Sequence, residues 1–464
     1  MDFNFAAVDR WLEDAYPQME RDLLPLLALP SLKEAAEPGA PFGRPLAEAL
    51  DYCLELARGF GLEAVNVDGY LGFADLLGQE KEQVGILSHV DVVPANPADW
   101  QSGPFDPEIR DGRIYARGTS DDKGPLVASL YAGLALARTG APLKKTLRFM
   151  FGCDEEAGMS CVDHYLQHHQ PPFCSFSPDG SFPVVQGEKG LGKFALTAKW
   201  PADEGAEPLK LVSVASGSVI NVVPDTAQAV FSVTGPISVE GAEISGLKIE
   251  QAGKILRMSA TGTATHASTP EEGENALVKL LQFLSRQQFS PRGAKRYIDT
   301  LAKLFQDQCY GESLGIAEED ALSKLTLAPT ILHIDEKEGS VKCDMRFILT
   351  RKADHFYQKL QGIAQHNRLT LEDWQGTEPL YADEHSELLA GLLQAYRAFS
   401  GDNETAPIIM GGGTYAKKLP NCLAFGPAFP GTSHVAHQAD EYIDRQEWLD
   451  SAKIYARAIY NLAK

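Results

Sequence analysis

The apolar stretch VGILSHVDVVP, residues 84–94, decides the fold of this chain. A short apolar run that is bounded by turn residues predicts a buried strand. His89 and Asp91 stand two apart at the end of this run, so we expect their side chains to point to the same face. One of them can then bind a metal while the other orients it, although such a pair also fits an ordinary surface.

Segments on both sides of this strand alternate between helical and strand patterns. Residues 44–61 and 124–140 have apolar residues at helical spacing, and residues 146–156 begin as an apolar strand. This alternation predicts an α/β domain with a mostly parallel sheet and helices on both faces.

The pattern changes near residue 189, where apolar and polar residues begin to alternate as in half-buried strands. From residue 254 the predicted order is strand, helix, strand, strand, helix, strand, which is the order of a ferredoxin-like unit. Segments of the first kind return near residue 385. At 464 residues the chain also exceeds the roughly 250–300 residues that one core serves. We therefore expect a discontinuous first domain, 1–188 and 379–464, and an inserted α+β domain, 189–378.

The composition excludes several kinds of partner and compartment. The chain has 63 acidic and 42 basic residues, a net charge of −21, which repels nucleic acid and anionic membrane surfaces. No stretch approaches the ~20 apolar residues that span a bilayer, and the first residues lack the basic region of a signal peptide. Seven scattered cysteines without a CxxC pair fit a reducing compartment. We expect a cytoplasmic protein that binds neither nucleic acid nor membranes.

Two acidic pairs stand next to predicted elements. Asp121 and Asp122 lie between a strand-like segment and the start of a helix, where aspartate also serves as a cap or turn residue. As a ligand, Asp121 could bridge two cations about 3.5–4 Å apart. Glu155 and Glu156 follow an apolar strand and must point in different directions, so one could ligate a metal while the other reaches a water. An isolated acidic pair at this place is otherwise a solvated loop.

Two further residues complete the set of candidate ligands. Asp179 lies in the turn sequence SPDGSFP, and His437 lies in HVAHQADEYI, where His434 fits equally well on spacing alone. His89, Asp121 and the pair Glu155 and Glu156 fall at strand ends, which meet at one edge of an open α/β sheet. Asp179 and His437 are weak signals taken singly, and their joint occurrence with these residues supports them. Two imidazoles and three carboxylates suit a borderline cation such as zinc, with manganese and cobalt as alternatives.

Seven motifs, taken in order, resemble those of the M20 metallopeptidases. The resemblance covers nearly the whole chain, and TSDDKGP, GEKG and LGIAEED are similar to the PepV-type dipeptidase branch of that family. The motifs are GILSHVDVVP (85–94), ARGTSDDKG (116–124), GCDEEAG (152–158), SPDGSFPVVQGEKG (177–190), HASTPEEGENA (266–276), GGGTYAKKLPN (411–421) and HQADEYI (437–443).

The resemblance implies a catalytic domain that binds two divalent cations and an inserted lid domain. One cation would be held by His89, Asp121 and Asp179, and the other by Asp121, Glu156 and His437. Glu155 would be the general base, and Asp91 would orient His89. Each cation would lower the pKa of water, whose proton Glu155 would pass to the leaving amine.

The resemblance also implies roles for residues of the inserted domain and for a glycine-rich loop. His266 would stabilise the oxyanion of the tetrahedral intermediate, and Asn221 and Arg346 would orient the substrate. Gly411, Gly412, Gly413 and Thr414 would lie near the substrate carboxylate, since glycines permit close approach. Simpler explanations stay open: a turn for His266, local caps or pairs for Asn221 and Arg346, and a tight turn for the glycines.

Three functions follow from these expectations. The first is hydrolysis of the peptide bond of unblocked dipeptides by a monomer, because the long inserted domain resembles the branch in which its extra half mimics a partner's lid. The second is deacylation of N-acyl amino acids, as in aminoacylases or succinyl-diaminopimelate desuccinylases. The third is metal binding without catalysis, since a fold does not imply a function. Glu155 favours catalysis, because a protein that only binds metal has no use for it.

Overall fold

The computed structural model describes residues 3–201, 207–237, 239, 245–307, 309–433 and 435–464. The chain divides into two compact units. Unit 1 comprises Met1–Gly187, Tyr381–Ile408 and Thr414–Lys464, and unit 2 comprises Glu188–Leu380 and Ile409–Gly413. The predicted limits, 1–188 with 379–464 and 189–378, stay a prediction, and Ile409–Gly413 group with unit 2. Among the residues described, no helix combines the length and apolarity that crossing a membrane requires.

The α-helices are, in chain order, α1 (Ala6–Ala28), α2 (Arg44–Gly59), α3 (Lys123–Arg138), α4 (Ser160–His168), α5 (Ala276–Leu284), α6 (Arg292–Leu304), α7 (Ala353–His366), α8 (Glu387–Ser400) and α9 (Arg445–Ala463). Short 3₁₀ turns occur at Pro97–Asp99, Pro270–Glu272 and Tyr415–Lys417.

The strands are, in chain order, β1 (Glu63–Val67), β2 (Leu71–Leu76), β3 (Glu80–His89), β4 (Glu108–Arg110), β5 (Arg113–Tyr115), β6 (Lys145–Gly152), β7 (Cys174–Ser177), β8 (Gly180–Ser181), β9 (Val185–Glu188), β10 (Gly190–Lys199), β11 (Leu209–Ser216), β12 (Val222–Val223), β13 (Thr226–Val233), β14 (Leu247–Ala252), β15 (Ile255–Thr261), β16 (Thr265–His266), β17 (Thr326–Ile334), β18 (Glu338–Phe347), β19 (Thr370–Thr377), β20 (Leu380–Tyr381), β21 (Ile408–Met410), β22 (Cys422–Ala424), β23 (Pro427–Ala428) and β24 (Tyr442–Asp444).

Unit 1 is built on a six-stranded sheet with the order β1-β2-β6-β3-β7-β22. The strands β6, β3, β7 and β22 run parallel, whereas β1 and β2 join antiparallel at one side. The register of β3 on β6 sets His89 beside Gly152, so both strands end at the same edge. The prediction of a mostly parallel sheet is therefore confirmed.

Helices cover both faces of this sheet, as predicted. A Cβ on Gly72 of β2 would meet the Leu50 and Leu54 side chains of α2 at 2.8 and 2.9 Å, so α2 packs closely on that face. The next residue, Phe73, points to the opposite face, where its ring lies 6.2 Å from the ring of Tyr165 in α4. The sheet is buried on both sides, which explains the continuous apolar runs of β3 and β6.

Unit 2 contains an eight-stranded antiparallel sheet with the order β14-β15-β13-β11-β17-β18-β10-β19. Helix α5 buries Leu277, Leu281 and Leu284 against it. The predicted sequence of strands and helices from residue 254 is present, with α6 in addition. However, β10 lies between β18 and β19, and β13 and β11 lie between β15 and β17. The ferredoxin-like unit is therefore not confirmed as a separate sheet.

Candidate active site

The candidate ligands of unit 1 lie at the carboxyl edge of its parallel strands. His89 is the last residue of β3, while Glu155 and Glu156 follow the end of β6 and Asp179 follows β7. Since β6, β3 and β7 are parallel neighbours, their ends converge at this edge. Asp121 precedes α3 and lies beside the same strand ends.

His89 is fully buried and lies between two carboxylates. Its Nε2 is 2.9 Å from Asp121 Oδ1 and 3.9 Å from Asp179 Oδ2. Its Nδ1 is 2.9 Å from the Asp91 carbonyl and 3.5 Å from Asp91 Oδ1. Burial alone would lower the pKa of His89, but Asp121 and Asp91 outweigh it and raise that pKa well above its ordinary value.

Asp91 also organises the acidic segment after β6. Its two carboxylate oxygens accept hydrogen bonds from the backbone N–H groups of Glu155 and Glu156, at 3.0 and 2.9 Å. Asp91 therefore contacts the imidazole and the glutamate pair at once. A change at this residue would disturb both.

A second group forms around His437. Its Nε2 lies 2.9 Å from Glu156 Oε1 and 3.1 Å from Asp121 Oδ2. Burial lowers the pKa of His437, but Asp121 and Glu156 outweigh it and raise that pKa to about 11. Burial also raises the pKa of Asp121, yet the hydrogen bonds from His437 and His89 hold it far below its ordinary value.

The two groups share Asp121 and use different oxygens of its carboxylate. Oδ1 faces His89 and Oδ2 faces His437. Ligand atoms lie within 4.8 Å of one another in the group His89, Asp121 and Asp179 and in the group Asp121, Glu156 and His437. The structure thus brings the five predicted ligands together in the two predicted groups of three, which share Asp121. Their role as ligands stays a prediction.

The chemistry of these donors fits divalent cations. Each group combines carboxylate oxygens with one imidazole nitrogen, a set that suits zinc, manganese or cobalt. The negative charge that raises the pKa of His89 and of His437 is also the charge that would hold a cation. His434, the alternative to His437, lies outside the described residues.

Glu155 differs from the other carboxylates of this cluster. The residue is 9% exposed, and its Oε1 has no hydrogen-bond partner among the described residues. Burial, followed by the nearby charge of Asp179, raises the pKa of Glu155 well above its ordinary value. A cation in the adjacent groups would favour the charged form. A carboxylate oxygen that no described residue engages is able to accept a proton.

Two residues that the sequence argument did not assign support Asp121 and His89. The Glu441 carboxylate accepts hydrogen bonds from Ser120 N, Ser120 Oγ and Asp121 N at 2.8, 2.9 and 3.3 Å, and from Arg117 Nη1 at 2.6 Å. Asp122 Oδ2 accepts from His89 N at 3.1 Å. The signals were the glutamate of the HQADE motif and the second aspartate of TSDD, but nothing in the sequence pairs residues so far apart.

The predicted residues His266 and Asn221 lie in unit 2. The strands β12 and β16 pair Val222 with His266, and the Asn221 carbonyl accepts a hydrogen bond from Ala267 N at 2.8 Å. The Nδ1 of His266 lies 2.6 Å from Ser268 Oγ. The two residues are therefore neighbours, and their roles in oxyanion and substrate binding stay predictions.

Arg346 already makes two parallel hydrogen bonds of the kind predicted for a substrate carboxylate. Its Nε and Nη2 donate to Asp344 Oδ1 and Oδ2 at 2.6 and 3.0 Å, and its Nη1 donates to the Gly411 carbonyl at 2.9 Å. Asp344 and Arg346 stand two apart on β18, so the sequence held the signal of this pair. Arg346 thus ties Gly411 to the sheet of unit 2, and its contact with a substrate stays a prediction.

The remaining residues of the glycine-rich loop divide between the units. Gly412 and Gly413 belong to unit 2, whereas Thr414 belongs to unit 1. Thr414 is 4% exposed, and its Oγ1 accepts a hydrogen bond from Ala416 N at 3.1 Å, which caps the following 3₁₀ turn. This cap is a structural contact of Thr414, and substrate binding by this loop stays a prediction.

Comparison with known proteins identifies a peptidase family and similar relatives. Residues 85–461 match the sequence profile of peptidase family M20/M25/M40. The "Putative dipeptidase YtjP" of Bacillus subtilis (strain 168) is 35% identical over 462 residues, which cover 96% of this chain and 97% of that relative.

Two solved structures share the fold at low sequence identity. The di-peptidase Dug1p from Saccharomyces cerevisiae matches with a TM-score of 0.60 at 14% identity, covering 100% of this chain and 99% of its own. The Bacillus subtilis YXEP protein, described as a dinuclear metal binding peptidase, matches with a TM-score of 0.54 at 12% identity, covering 97% and 99%. The family match and the relative, each spanning most of the sequence, show that the chain belongs to peptidase family M20/M25/M40, as its seven ordered motifs predict.

Proposed function

We propose that this protein is a metal-dependent dipeptidase that hydrolyses unblocked dipeptides. It would use two divalent cations, with zinc as the preferred metal and manganese or cobalt as alternatives, and Glu155 as general base. One observation carries the proposal: two ligand groups share Asp121, and beside them Glu155 is buried with an oxygen that no described residue engages. The Bacillus subtilis relative is named a dipeptidase, and this supports the substrate class. The dinuclear metal binding of the YXEP protein supports the number of cations.

The proposed ligands follow the two groups that share Asp121. His89, Asp121 and Asp179 would hold one ion, and Asp121, Glu156 and His437 the other. When bound, such cations polarise the scissile carbonyl and make a water more acidic. The separation of Asp121 Oδ1 and Oδ2 toward different imidazoles suits a bridging carboxylate.

The protein residues would move the proton and keep the groups in place. Glu155 would accept a proton from the attacking water and deliver it to the leaving amine. Asp91 would position Glu155 through the hydrogen bond from the Glu155 backbone, and it would orient His89 from the other side of the ring. His266, Asn221 and Arg346 enter the proposal only through the family resemblance, as residues that bind the oxyanion and the substrate.

Turnover of a small substrate panel tests the proposal. The panel holds unblocked dipeptides, a tripeptide, and N-acetylated and N-succinylated amino acids, each assayed after chelation and after adding back zinc, manganese or cobalt. We expect metal-dependent activity that is confined to unblocked dipeptides. Activity on acylated amino acids alone would replace the dipeptidase by a deacylase, and inactivity on every substrate with each metal would reject catalysis.

A further inference from the structure

A second cluster of metal-binding residue types lies in unit 1, apart from the groups that share Asp121. It comprises Asp68, His164 and His168, and we call it the surface cluster. His164 and His168 stand one turn apart on α4, and Asp68 lies in the turn between β1 and β2. His164 Nε2 is 3.1 Å from Asp68 Oδ2, and one ligand atom from each residue lies within 4.8 Å of the others.

The surface cluster is held in place by its neighbours. The ring of Tyr70 stacks on that of His164, with centroids 4.0 Å apart and an interplanar angle of 14°. On the other segment, Asn66 Oδ1 accepts a hydrogen bond from Gly69 N at 2.7 Å, which fixes the turn that carries Asp68. Two segments far apart in sequence therefore present their ligands toward one point before any ion binds.

The contact between His164 and Asp68 does not account for the whole arrangement. The ring centroid of His168 lies 4.7 Å from that of His164, so a second imidazole joins the pair. The adjacent His169 behaves differently, because its ring stacks on Tyr165 at 5.1 Å with an interplanar angle of 17°. Of these neighbouring histidines, the two at helical spacing face the aspartate and the third packs among aromatic rings.

We propose that the surface cluster is a binding site for a divalent transition metal of the zinc, nickel and copper class. Imidazole nitrogens suit these ions, whereas magnesium and calcium prefer sets of oxygen ligands. Asp68 is 73% exposed and His164 is 21% exposed, so water can fill the remaining positions of the ion. The site is therefore open to solvent, unlike a closed structural zinc site.

Metal binding here would connect two segments of unit 1. The ion would join the β1–β2 turn to α4, whose first residue, Ser160, donates its N–H and its Oγ–H to Asp154 Oδ2 at 3.0 and 2.6 Å. Asp154 directly precedes Glu155. An ion that binds only the folded protein stabilises it, so occupancy should strengthen the attachment of α4.

Zinc content per chain tests the site without reference to turnover. The wild type, His168→Ala and His164→Gln are dialysed against the same zinc buffer and analysed for bound metal. The matched control is His385→Ala, which removes an exposed histidine that lies 3.7 Å from Glu384 and outside the cluster. We expect one zinc fewer in each cluster variant and no change in the control. Equal zinc content in the wild type and both cluster variants would overturn the proposal.

Two further measurements guard against indirect effects. Circular dichroism of the two variants checks that α4 and the rest of the fold are retained. Histidine ring signals in NMR spectra of the wild type, recorded during a zinc titration, should shift for His164 and His168. The Asp121→Asn variant should retain this response, because it leaves the surface cluster intact. If the ring signals of His164 and His168 did not shift when zinc is added, the assignment would be contradicted.

Discussion

Unit 1 holds two histidine–carboxylate clusters that use the same ligand types in different surroundings. In the active-site cluster, formed by His89, Asp121, Glu156, Asp179 and His437, His89 is 0% exposed, the carboxylates are 13–17% exposed and His437 is 50% exposed. In the surface cluster the Asp68 side chain is 73% exposed. The buried residues Asp91, Asp122 and Glu441 support the active-site cluster through hydrogen bonds. The surface cluster is supported by the stacking of Tyr70 and by the β1–β2 turn.

This difference indicates what separates a catalytic metal site from a binding site. Charges act more strongly where water is excluded, so the proposed role of Glu155 as a base suits the cluster with the buried carboxylates. The hydrogen bonds from Ser120 and Asp121 to Glu441 fix the position of Asp121 in advance. The surface cluster is positioned instead by the stacking of Tyr70 and by the hydrogen bond in the β1–β2 turn, and we expect it to bind metal without catalysing a reaction.

The largest effect is expected from Asp121→Asn. Its carboxylate contacts both groups, so its loss should remove both cations and reduce turnover to that of the metal-free protein. Metal content and dipeptide turnover are measured together, with Asp14→Asn, an exposed residue of α1, as the control. Near-normal activity in Asp121→Asn would contradict the shared-ligand interpretation.

Glu155→Gln should have the next largest effect. Removal of a general base typically lowers kcat by about 10²- to 10⁴-fold, while the metal content should stay unchanged because Glu155 belongs to neither ligand group. Glu156→Gln provides the contrast, since it should lose metal as well as activity. If Glu155→Gln lost metal to the same degree as Glu156→Gln, its assignment as a base would be wrong.

Glu441→Gln should have an intermediate effect. Loss of a residue that orients a metal ligand typically costs about 10- to 100-fold in metal affinity or activity. The Glu441 carboxylate accepts hydrogen bonds from Arg117 and from the segment that carries Asp121. The variant should therefore stay folded but bind zinc more weakly. A zinc titration measures this, with the exposed Glu404→Gln as control. An unchanged affinity would show that Asp121 needs no such support.

The smallest effect is expected from Asp68→Asn in metal-free protein. An exposed polar contact of this kind contributes about 0–1 kcal/mol at most, so the free energy of unfolding should change by less than about 1 kcal/mol. Denaturant unfolding measures this change. With zinc present, the wild type should gain more stability than the variant. A large loss in metal-free protein would instead assign the pair of Asp68 and His164 a structural role.

The strand-end positions of the active-site residues were accessible from the sequence. The apolar run before His89 and the one before Glu155 predicted buried parallel strands, and the ends of such strands meet at one edge. The pairing of Arg346 with Asp344 was also accessible, because residues two apart on a strand share a face. By contrast, the ferredoxin-like order did not predict that β10 lies between β18 and β19, because element order alone does not set strand pairing.

The sequence by itself determined the α/β character of unit 1, the family and the set of candidate ligands, because hydrophobic periodicity and ordered motifs are local properties. Only the tertiary structure decided which oxygen of Asp121 faces which imidazole, and that Glu441 accepts hydrogen bonds from the segment around Asp121. It also decided that Asp68 meets His164 and His168. These contacts join residues far apart along the chain, and packing of the strands and helices sets their distances.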